Sequence, residues 1–464
     1  MTKMNFALRE QRRTPAIRTI SNPVPMFGKI ETYGLLLALF LYATGGAYLA
    51  PGMAEHAKGS ATVVGATAAT GTLHLVELAI AFAISLKVTL SSWRGVARMS
   101  AQMKLFTASA LLATLSSLWS VDPTLSLRSG LYLLLNTIFV YYLVQRFPVQ
   151  ELMRLMLGAG AVVAVMSIAT AVVLPGYAWG SAGSHVALQG AFVAKNVLGN
   201  AAVFMLTPAL FVQGMSLWVR ATYIGVMLAL IILSFSVQAW AAALFCFFFA
   251  LVCMLFGRLP KKEAKWIAFV TLLPLLIGGL ILLTYRMEIL QFLDKDPTLS
   301  GRTIIWKAVL GSVEKRPFLG WGYNAFWQGF KGESGLVLLQ VHFPIAQSQD
   351  GALDVLLGLG GVGLALVLAT FLQGFRNAAK CFQLGVSDAA RWYLLIMLLT
   401  IGYSVGEANL QQPNILPWMM YIMACTGLAA EARRALEARK AIQRKGKLEA
   451  RGAHWSEKAE RVSA

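Results

Sequence analysis

Long apolar runs recur along the chain and are separated by short polar segments. Each run holds about 18 to 25 residues with few charges, which lets one helix cross roughly 30 Å of hydrocarbon. The pattern predicts an all-α polytopic membrane protein with about 12 transmembrane helices. The predicted spans start near Tyr33, Leu73, Phe106, Gly130, Leu155, Val197, Trp218, Ala239, Trp266, Gly351, Trp392 and Ile415.

The connection between spans 9 and 10 differs from the others because it is long and rich in aromatic residues. Connections of this length are functional or disordered, and this one is too apolar for disorder. Within it, Ile305, Val309 and Val313 fall on one helical face, which predicts a helix that ends before Pro317. The sequence therefore predicts a partly helical loop whose first helix can be capped by Thr298 or Ser300.

The chain carries 40 Lys and Arg against 21 Asp and Glu, a net charge of +19. A charge of this size can indicate nucleic-acid binding, but the cations lie in the tails and in alternate short loops. That distribution is the positive-inside pattern of an inner-membrane protein with both termini cytoplasmic. It predicts no nucleic-acid partner, and it predicts that the basic C-terminal tail is an amphipathic helix near anionic lipid headgroups. The predicted inner loops lie near Arg94–Lys104, Arg146–Arg154, Arg220, Arg258–Lys265 and Arg376–Arg391.

This topology divides the chain into five segments and places the long loop in the periplasm. They are a basic cytoplasmic tail (1–32), spans 1 to 9 (33–285), the periplasmic loop (286–350), spans 10 to 12 (351–430) and a second basic cytoplasmic tail (431–464). The chain has four cysteines, and none lies in a predicted outer loop or in a metal-binding spacing. We expect neither a disulfide framework nor a metal ion.

Polar residues concentrate on the predicted outer side. Arg302 lies in the first turn of the loop helix, where free backbone N–H groups and a guanidinium can together bind a phosphate; an arginine reaching toward lipid headgroups is the alternative. Ionisable residues close to a bilayer are costly and are functional candidates by default. The further candidates are Arg128, Lys195, Asn196, Asp350 and Glu407.

The turn "PFLGWGYNAFW" that follows the loop helix is rich in glycine and aromatic residues. Trp321 and Tyr323 are candidates for stacking on sugar rings. Aromatic side chains are also common anchors at the membrane interface, and this explanation is favoured for most of the turn.

Five segments, in this order, resemble the O-antigen ligase and Wzy-type polysaccharide polymerase superfamily, and most closely its exopolysaccharide polymerisation proteins of the ExoQ kind. The resemblance spans roughly residues 110 to 420 of the chain. The segments are "LWSVDPTLSLR", "GAFVAKNVLGN", "GRTIIW…RPFLGWGYNAFW", "DGALDVLLGLGGVGL" and "GEANLQQPNILPW".

The resemblance implies glycosyl transfer at the periplasmic face of the inner membrane, from a polyprenyl-pyrophosphate-linked oligosaccharide and without a metal or cofactor. Arg302 matches the family arginine thought to hold pyrophosphate. Lys195 and Asn196 match a Lys-Asn pair, and Glu407 matches an acid near the end of the domain. Membrane lipids and chain-length regulator or export proteins are the further partners expected.

Two positions depart from the family pattern. Gln349 stands where relatives usually carry a histidine, the presumed base or acceptor-orienting group. Relatives also tend to show Ser-Arg near the start of span 8, where this chain has Ser236, Val237 and Gln238 and no arginine. An amide can orient a hydroxyl but has no useful basicity near neutral pH. His342 and Asp350 are the candidate replacement bases, since an imidazole is a common general base near neutral pH and a carboxylate is a weaker one.

Four functions remain open at this point. The chain can be a polymerase, or a ligase that differs only in its acceptor (a lipid core or a protein). It can also be a catalytically diverged subunit that binds glycan. A lipid-glycan transporter is the least favoured, because it predicts charges buried along several spans, and spans 8, 9 and 12 carry none.

Overall fold

The computed structural model describes residues 29–44, 68–182, 185–256, 302–342 and 345–463, which form a bundle of α-helices with one short β-ribbon. Predicted span 9 near Trp266, the inner loop Arg258–Lys265 and the predicted caps Thr298 and Ser300 lie outside the described residues. The helices are α1 Lys29–Ala43, α2 Ala68–Ser91, α3 Trp93–Gln102, α4 Lys104–Leu115, α5 Pro123–Arg146, α6 Val149–Val173, α7 Pro175–Ala178, α8 Lys195–Phe211, α9 Leu217–Leu233, α10 Val237–Phe256, α11 Arg302–Lys315, α12 Gly332–Val341, α13 Gly351–Leu384, α14 Ser387–Ser404 and α15 Leu416–Ser463.

Several of these helices have the length and apolar composition of membrane spans, which supports a multi-pass membrane protein. In the described part of the chain, α5, α6, α10 and α13 each meet both criteria, and a bent pair formed by α2 and α3 would make a fifth span. Helices α1, α4 with the 3₁₀ turn that follows it, and α9 are apolar but shorter. The total of about 12 spans stays a prediction.

Helix α3 occupies the segment predicted as an inner loop near Arg94–Lys104. It turns by 93° from the end of α2. Val96 and Met99 are buried on one side, while Arg94 and Arg98 are exposed on the other. A short basic amphipathic helix at a right angle to a span is typical of one that lies in the membrane interface.

The described residues agree with the predicted all-α fold, with one addition: a two-stranded antiparallel ribbon connects α7 to α8. Strand β1 (Trp179–Ala182) pairs with β2 (His185–Leu188), with Trp179 opposite Leu188. The Gln189 side chain fixes the base of the ribbon by donating a hydrogen bond to the Tyr177 carbonyl at 2.6 Å. Four-residue strands this short give too weak an alternating pattern to be detected among apolar runs.

The loop helix α11 forms where the sequence predicts it, starting at Arg302 and ending before Pro317. Ile305 and Val309 are fully buried, and Val313 packs against the same small cluster. The predicted apolar face is therefore confirmed. It joins α11 to α12 and to the first turns of α13 through residues such as Val337 and Leu357.

Helix α13 is broken at Gly360, whose φ of 63° and ψ of −163° are not helical. This region of backbone space is essentially restricted to glycine. The aromatic turn of the loop fills the break and forms four backbone hydrogen bonds with the helix. They are Trp321 N–H to Leu357 O (2.7 Å), Gly322 N–H to Gly358 O (3.0 Å), Gly361 N–H to Pro317 O (2.7 Å) and Val362 N–H to Phe318 O (3.2 Å).

The same turn is also bonded to the segment that precedes α5. Trp119 donates its indole N–H to the Leu319 carbonyl at 2.9 Å, and the Val121 N–H donates to the Trp321 carbonyl at 3.0 Å. Ser126 donates to the Tyr323 carbonyl at 2.9 Å. Two of the five segments that carry the family resemblance are thus held together by hydrogen bonds.

Candidate functional site

Arg302 begins α11 and is only partly exposed. Its Nε donates a hydrogen bond of 2.9 Å to Oε1 of Gln349. Gln349 has a left-handed backbone with φ of 55°, which is uncommon for a residue other than glycine. The glutamine that replaces the family histidine is therefore in direct contact with the predicted pyrophosphate-binding arginine.

The turn that presents Gln349 is held from two helices. On the α11 side, the Trp306 indole donates to the Ser348 carbonyl at 3.2 Å. On the α13 side, Oδ1 of Asp354 accepts from the Ser348 N–H at 3.1 Å and from the Trp327 indole at 3.2 Å. These bonds fix the backbone on which Gln349 is carried.

Asp350 ends the same turn and caps α13. Its Oδ1 accepts the Leu353 N–H at 2.9 Å, and its own N–H donates to Ser348 Oγ at 3.2 Å. An aspartate with extended backbone that accepts from the third residue of a helix is a standard N-cap. The carboxylate predicted as a candidate base is thus engaged in ending the turn and starting the helix.

Gln238, in the segment near span 8 that carries no arginine, lies with Arg302 around Gly406. A Cβ atom on Gly406 would be 3.0 Å from Arg302 Nη1 and 3.3 Å from Gln238 Nε2. Gln238 also donates to the Tyr403 carbonyl at 3.3 Å. Gln349 and Gln238 are thus two neutral amides near one arginine.

Glu407 follows Gly406 and lies close to Arg302. Burial raises the pKa of its carboxyl above the usual glutamate range, while the Arg302 charge and a hydrogen bond with the Asn196 side chain act in the opposite direction. Burial disfavours the charged form of an acid, and a nearby cation favours it. Glu407, Arg302 and Asn196 thus form one electrostatically coupled group.

The loop that carries Glu407 is held rigidly by buried polar side chains. Asn136 Nδ2 donates to Asn414 Oδ1 at 3.0 Å, and Gln411 Nε2 donates to the Ser109 hydroxyl. The Tyr323 hydroxyl donates to the Gln411 carbonyl. Buried polar groups must find partners, so these bonds define one position for the loop between α14 and α15.

Lys195 starts α8 next to Asn196. Its Nζ donates to the Phe235 carbonyl at 3.4 Å. Phe235 has a positive φ of 46° and its ring stacks on His185 of the ribbon, with ring centroids 5.1 Å apart. The ribbon and the α9–α10 turn therefore position the Lys195 side chain.

Arg302 and the partly buried Glu407 are coupled in this group, and Lys195 adjoins it as the chain neighbour of Asn196, so the group suits an anionic ligand. No three His, Cys, Asp or Glu residues in the described ranges lie close enough together to hold a metal ion. The group is defined by Arg302, Gln349, Gln238, Gly406, Glu407, Lys195 and Asn196, and is called the Arg302 site below.

The predicted aromatic stacking residues serve the fold of the loop. Tyr323 is 4% exposed, so a sugar ring cannot reach its face in this conformation. The Trp321 indole donates to the Ser312 carbonyl at 3.0 Å, and the Arg316 guanidinium lies 4.3 Å from the centre of its ring. These aromatic residues serve the fold because their turn fills the break in α13, where aromatic surface is buried.

His342 and Arg128 show no recorded contact with the Arg302 site among the described residues. His342 is exposed at the end of α12, with a left-handed φ of 65°, and its Nδ1 lies 2.9 Å from the Gln340 carbonyl. Arg128 is exposed on α5. Their predicted roles stay predictions.

Sequence reasoning missed Asp354 and Gly406. The sequence signal that could have revealed Asp354 is a carboxylate inside the first turn of an otherwise apolar helix. Gly406 shows no such signal, because the closeness of its backbone to Arg302 depends on how α11 packs against the α14–α15 loop.

Comparison with known proteins agrees with the segments that carry the resemblance. Residues 222–368 match the family model described as O-antigen ligase. That range includes Gln238, Arg302 and Gln349 of the Arg302 site. The resemblance to the O-antigen ligase family is confirmed.

A curated relative supports the same grouping. The exopolysaccharide production protein ExoQ of Rhizobium meliloti (strain 1021) is 27% identical over 238 residues, which are 48% of this chain and 52% of the relative. The match therefore spans about half of the relative's length.

A solved structure described as "Structural coordination of polymerization and crosslinking by a peptidoglycan synthase complex" also aligns. The identity is 17% and the TM-score 0.33, over 72% of this chain and 96% of that one. A likeness at this level does not establish a shared fold.

Proposed function

We propose that this O-antigen ligase-like chain polymerises polyprenyl-pyrophosphate-linked oligosaccharide repeat units into exopolysaccharide at the periplasmic face of the inner membrane. The reaction is a metal-independent glycosyl transfer. Arg302 holds the pyrophosphate of the donor, with Lys195 and Asn196 at the other end of the site.

The observation that carries this proposal is the setting of Arg302. Arg302 is the first described residue of α11, and backbone N–H groups at a helix N-terminus favour an anion. A neutral amide orients its Nε, which leaves the remaining N–H groups for phosphate oxygens. Fixed cations stabilise the negative charge that develops on a leaving pyrophosphate better than water does.

A ligase remains the closest alternative, since it differs only in the acceptor. The named relative is a production protein for exopolysaccharide, and this favours polymer formation. Adding a lipid core or protein acceptor to the assay distinguishes the two, because a ligase transfers the glycan to that acceptor and a polymerase lengthens the lipid-linked chain.

A catalytically diverged glycan-binding subunit is supported by one specific observation. Gln349 stands where the resemblance places a histidine, and the segment 236–238, whose Gln238 lies near Arg302, carries no arginine. Such a subunit would bind the donor through Arg302 without lengthening it.

The test uses the full-length chain in nanodiscs with lipid-linked repeat units and a chelator. We expect longer lipid-linked products by mass spectrometry, and we expect Arg302→Ala to lower kcat/KM by about 10²- to 10³-fold, as for the loss of one donor to a developing oxyanion. The kcat/KM of Arg302→Lys should lie between those of the unmodified chain and Arg302→Ala, because lysine keeps the charge but loses the planar guanidinium.

Lys307→Ala is the matched control, because Lys307 is an exposed cation on the same helix. Its activity should equal that of the unmodified chain. Donor binding that depends on Arg302, without elongation, would replace the polymerase proposal with the subunit alternative.

A further inference from the structure

The acids and the histidine on the predicted outer side differ in how many hydrogen bonds they already accept within the fold. Asp350 caps α13, and Asp122 caps α5 by accepting the Leu125 N–H at 3.0 Å. Oδ1 of Asp354 accepts two hydrogen bonds, from Ser348 and Trp327, and its Oδ2 is buried without a hydrogen-bond partner. One oxygen of each of these carboxylates is therefore engaged by the fold.

The candidate imidazole is also turned away. His342 is exposed at the end of α12 and its ring nitrogen lies against the carbonyl of its own turn. Gln349 and Gln238 lie beside Arg302, but amides accept no proton near neutral pH.

Glu407 is the acid that the fold places in the Arg302 site itself. It lies next to Gly406, where a Cβ atom would be 3.0 Å from Arg302 Nη1. It interacts with the Arg302 charge and with the Asn196 amide, and its loop is bonded through the Asn136–Asn414 and Gln411–Ser109 pairs. This arrangement places a carboxylate beside the cation proposed to hold the donor, which is where a general base for the acceptor is needed.

We propose that Glu407 is the general base of this chain and replaces the histidine that is absent at position 349. The inference rests on the proposed function and deepens it. The acceptor is a sugar hydroxyl of a second lipid-linked repeat unit.

The step conserves atoms and electrons without a further reactant. The acceptor O–H bond breaks as its proton passes to a Glu407 carboxylate oxygen. The electron pair left on the hydroxyl oxygen forms the new bond to the anomeric carbon of the donor. The bond from that carbon to the pyrophosphate oxygen breaks, and polyprenyl pyrophosphate leaves with the electron pair toward Arg302. Glu407 then releases its proton to solvent.

The sign of the expected pH dependence follows from the site. A base must be ionised to act, so activity is lost as the pH falls through the pKa of Glu407. Burial raises that pKa, and the groups that interact with the carboxyl are Arg302, Asn196 and the Tyr403 hydroxyl. The acidic limb of the kcat profile should therefore lie above the pH range of an ordinary glutamate.

The first test compares Glu407→Gln with the unmodified chain in the nanodisc assay. We expect kcat to fall by about 10²- to 10⁴-fold, the usual contribution of a general base, with the donor KM unchanged. The acidic limb should disappear from the residual activity. Formate should restore part of the activity of Glu407→Ala, because a small carboxylate can occupy the space left by the side chain.

A melting curve separates catalysis from a structural role. Because the folded-state pKa of Glu407 is raised, its ionised form costs stability at neutral pH, and Glu407→Gln should melt at a higher temperature. A lower melting temperature would identify the carboxylate as a support for Arg302.

Asp122→Asn is the matched control, since an asparagine also caps a helix well and Asp122 lies outside the Arg302 site. Its kcat should not change. If Glu407→Gln keeps more than a tenth of kcat, or if its loss appears in KM, the inference is wrong while the polymerase proposal stands. If the unmodified chain lengthens no donor, both fall together.

Discussion

At the residue scale, the site depends on a neutral partner for a charged side chain. Gln349 accepts from Arg302 Nε without cancelling its charge. A carboxylate at the same position would form an ion pair with the guanidinium and compete with pyrophosphate for it. Under the proposed function, glutamine at this position orients the cation and leaves its charge available to the donor.

This argument predicts effects of different size for two substitutions that keep the volume of the side chain. Gln349→Glu should raise the donor KM about tenfold or more, because an ion pair opposes anion binding by roughly 1.4 kcal/mol or more. Gln349→Met keeps the volume but loses the hydrogen-bond acceptor, and it should lower kcat/KM less than Gln349→Glu does. The measurement is the donor KM of each variant, and an unchanged KM for Gln349→Glu would show that Arg302 does not hold the donor.

The sequence predicts part of the Arg302 site and misses the rest for a physical reason. Arg302, Lys195, Asn196 and Glu407 each stand out as polar groups at the edge of apolar runs. The use of Asp350 as a cap depends on the backbone of one turn, which no spacing reveals. The proximity of Gln238 to Arg302 is a long-range contact between two helices and is not encoded locally.

At the element scale, the break in α13 is the feature that positions the loop. The periodic apolar pattern correctly predicts α11 and the start of α13, because both depend on local spacing. The glycines of the run "GLGGVG" indicate a weak point in the helix, but they do not indicate what fills the break. That depends on the aromatic turn, about 40 residues earlier in the chain, and so lies beyond any local signal.

Gly360→Ala should strongly destabilise the chain. The non-helical φ of 63° penalises any side chain, and a Cβ atom there would lie 2.2 Å from the Phe318 carbonyl carbon. Backbone strain of this kind costs about 1–3 kcal/mol before the clash is counted. The measurement is the melting temperature in detergent.

Gly311→Ala serves as the control for this substitution. Gly311 lies inside α11, and a Cβ atom there would meet nothing within 4 Å. Alanine in a helix interior is favoured over glycine by roughly 0.5–1 kcal/mol, so this variant should melt at the same or a higher temperature. If the Gly360→Ala chain melted at the same temperature as the unmodified chain, the break in α13 would not be required for stability.

At the scale of the whole molecule, orientation decides whether the Arg302 site can meet a lipid-linked donor in the periplasm. The basic tails and loops predict that the termini are cytoplasmic and that α11 is outside. The described helices agree with a multi-pass protein, and the amphipathic helix α3 lies at a right angle to α2. The orientation itself is a prediction.

Labelling of single introduced cysteines tests this orientation. The four native cysteines are buried, so they give little background. An impermeant maleimide added to cells with a permeabilised outer membrane should label Lys307→Cys, an exposed position on α11, and should leave Lys440→Cys in α15 unlabelled. The reverse pattern would place the Arg302 site in the cytoplasm and end the polymerase proposal.

The four backbone bonds between the aromatic turn and α13 have a consequence for how such proteins evolve. Main-chain N–H and C=O groups are the same in every residue, so these bonds survive most side-chain replacements. Selection can therefore exchange the reactive residues around Arg302 while the frame that holds them keeps its shape. A lineage could lose a histidine at one wall of the site and recruit an acid at another without passing through an unfolded intermediate.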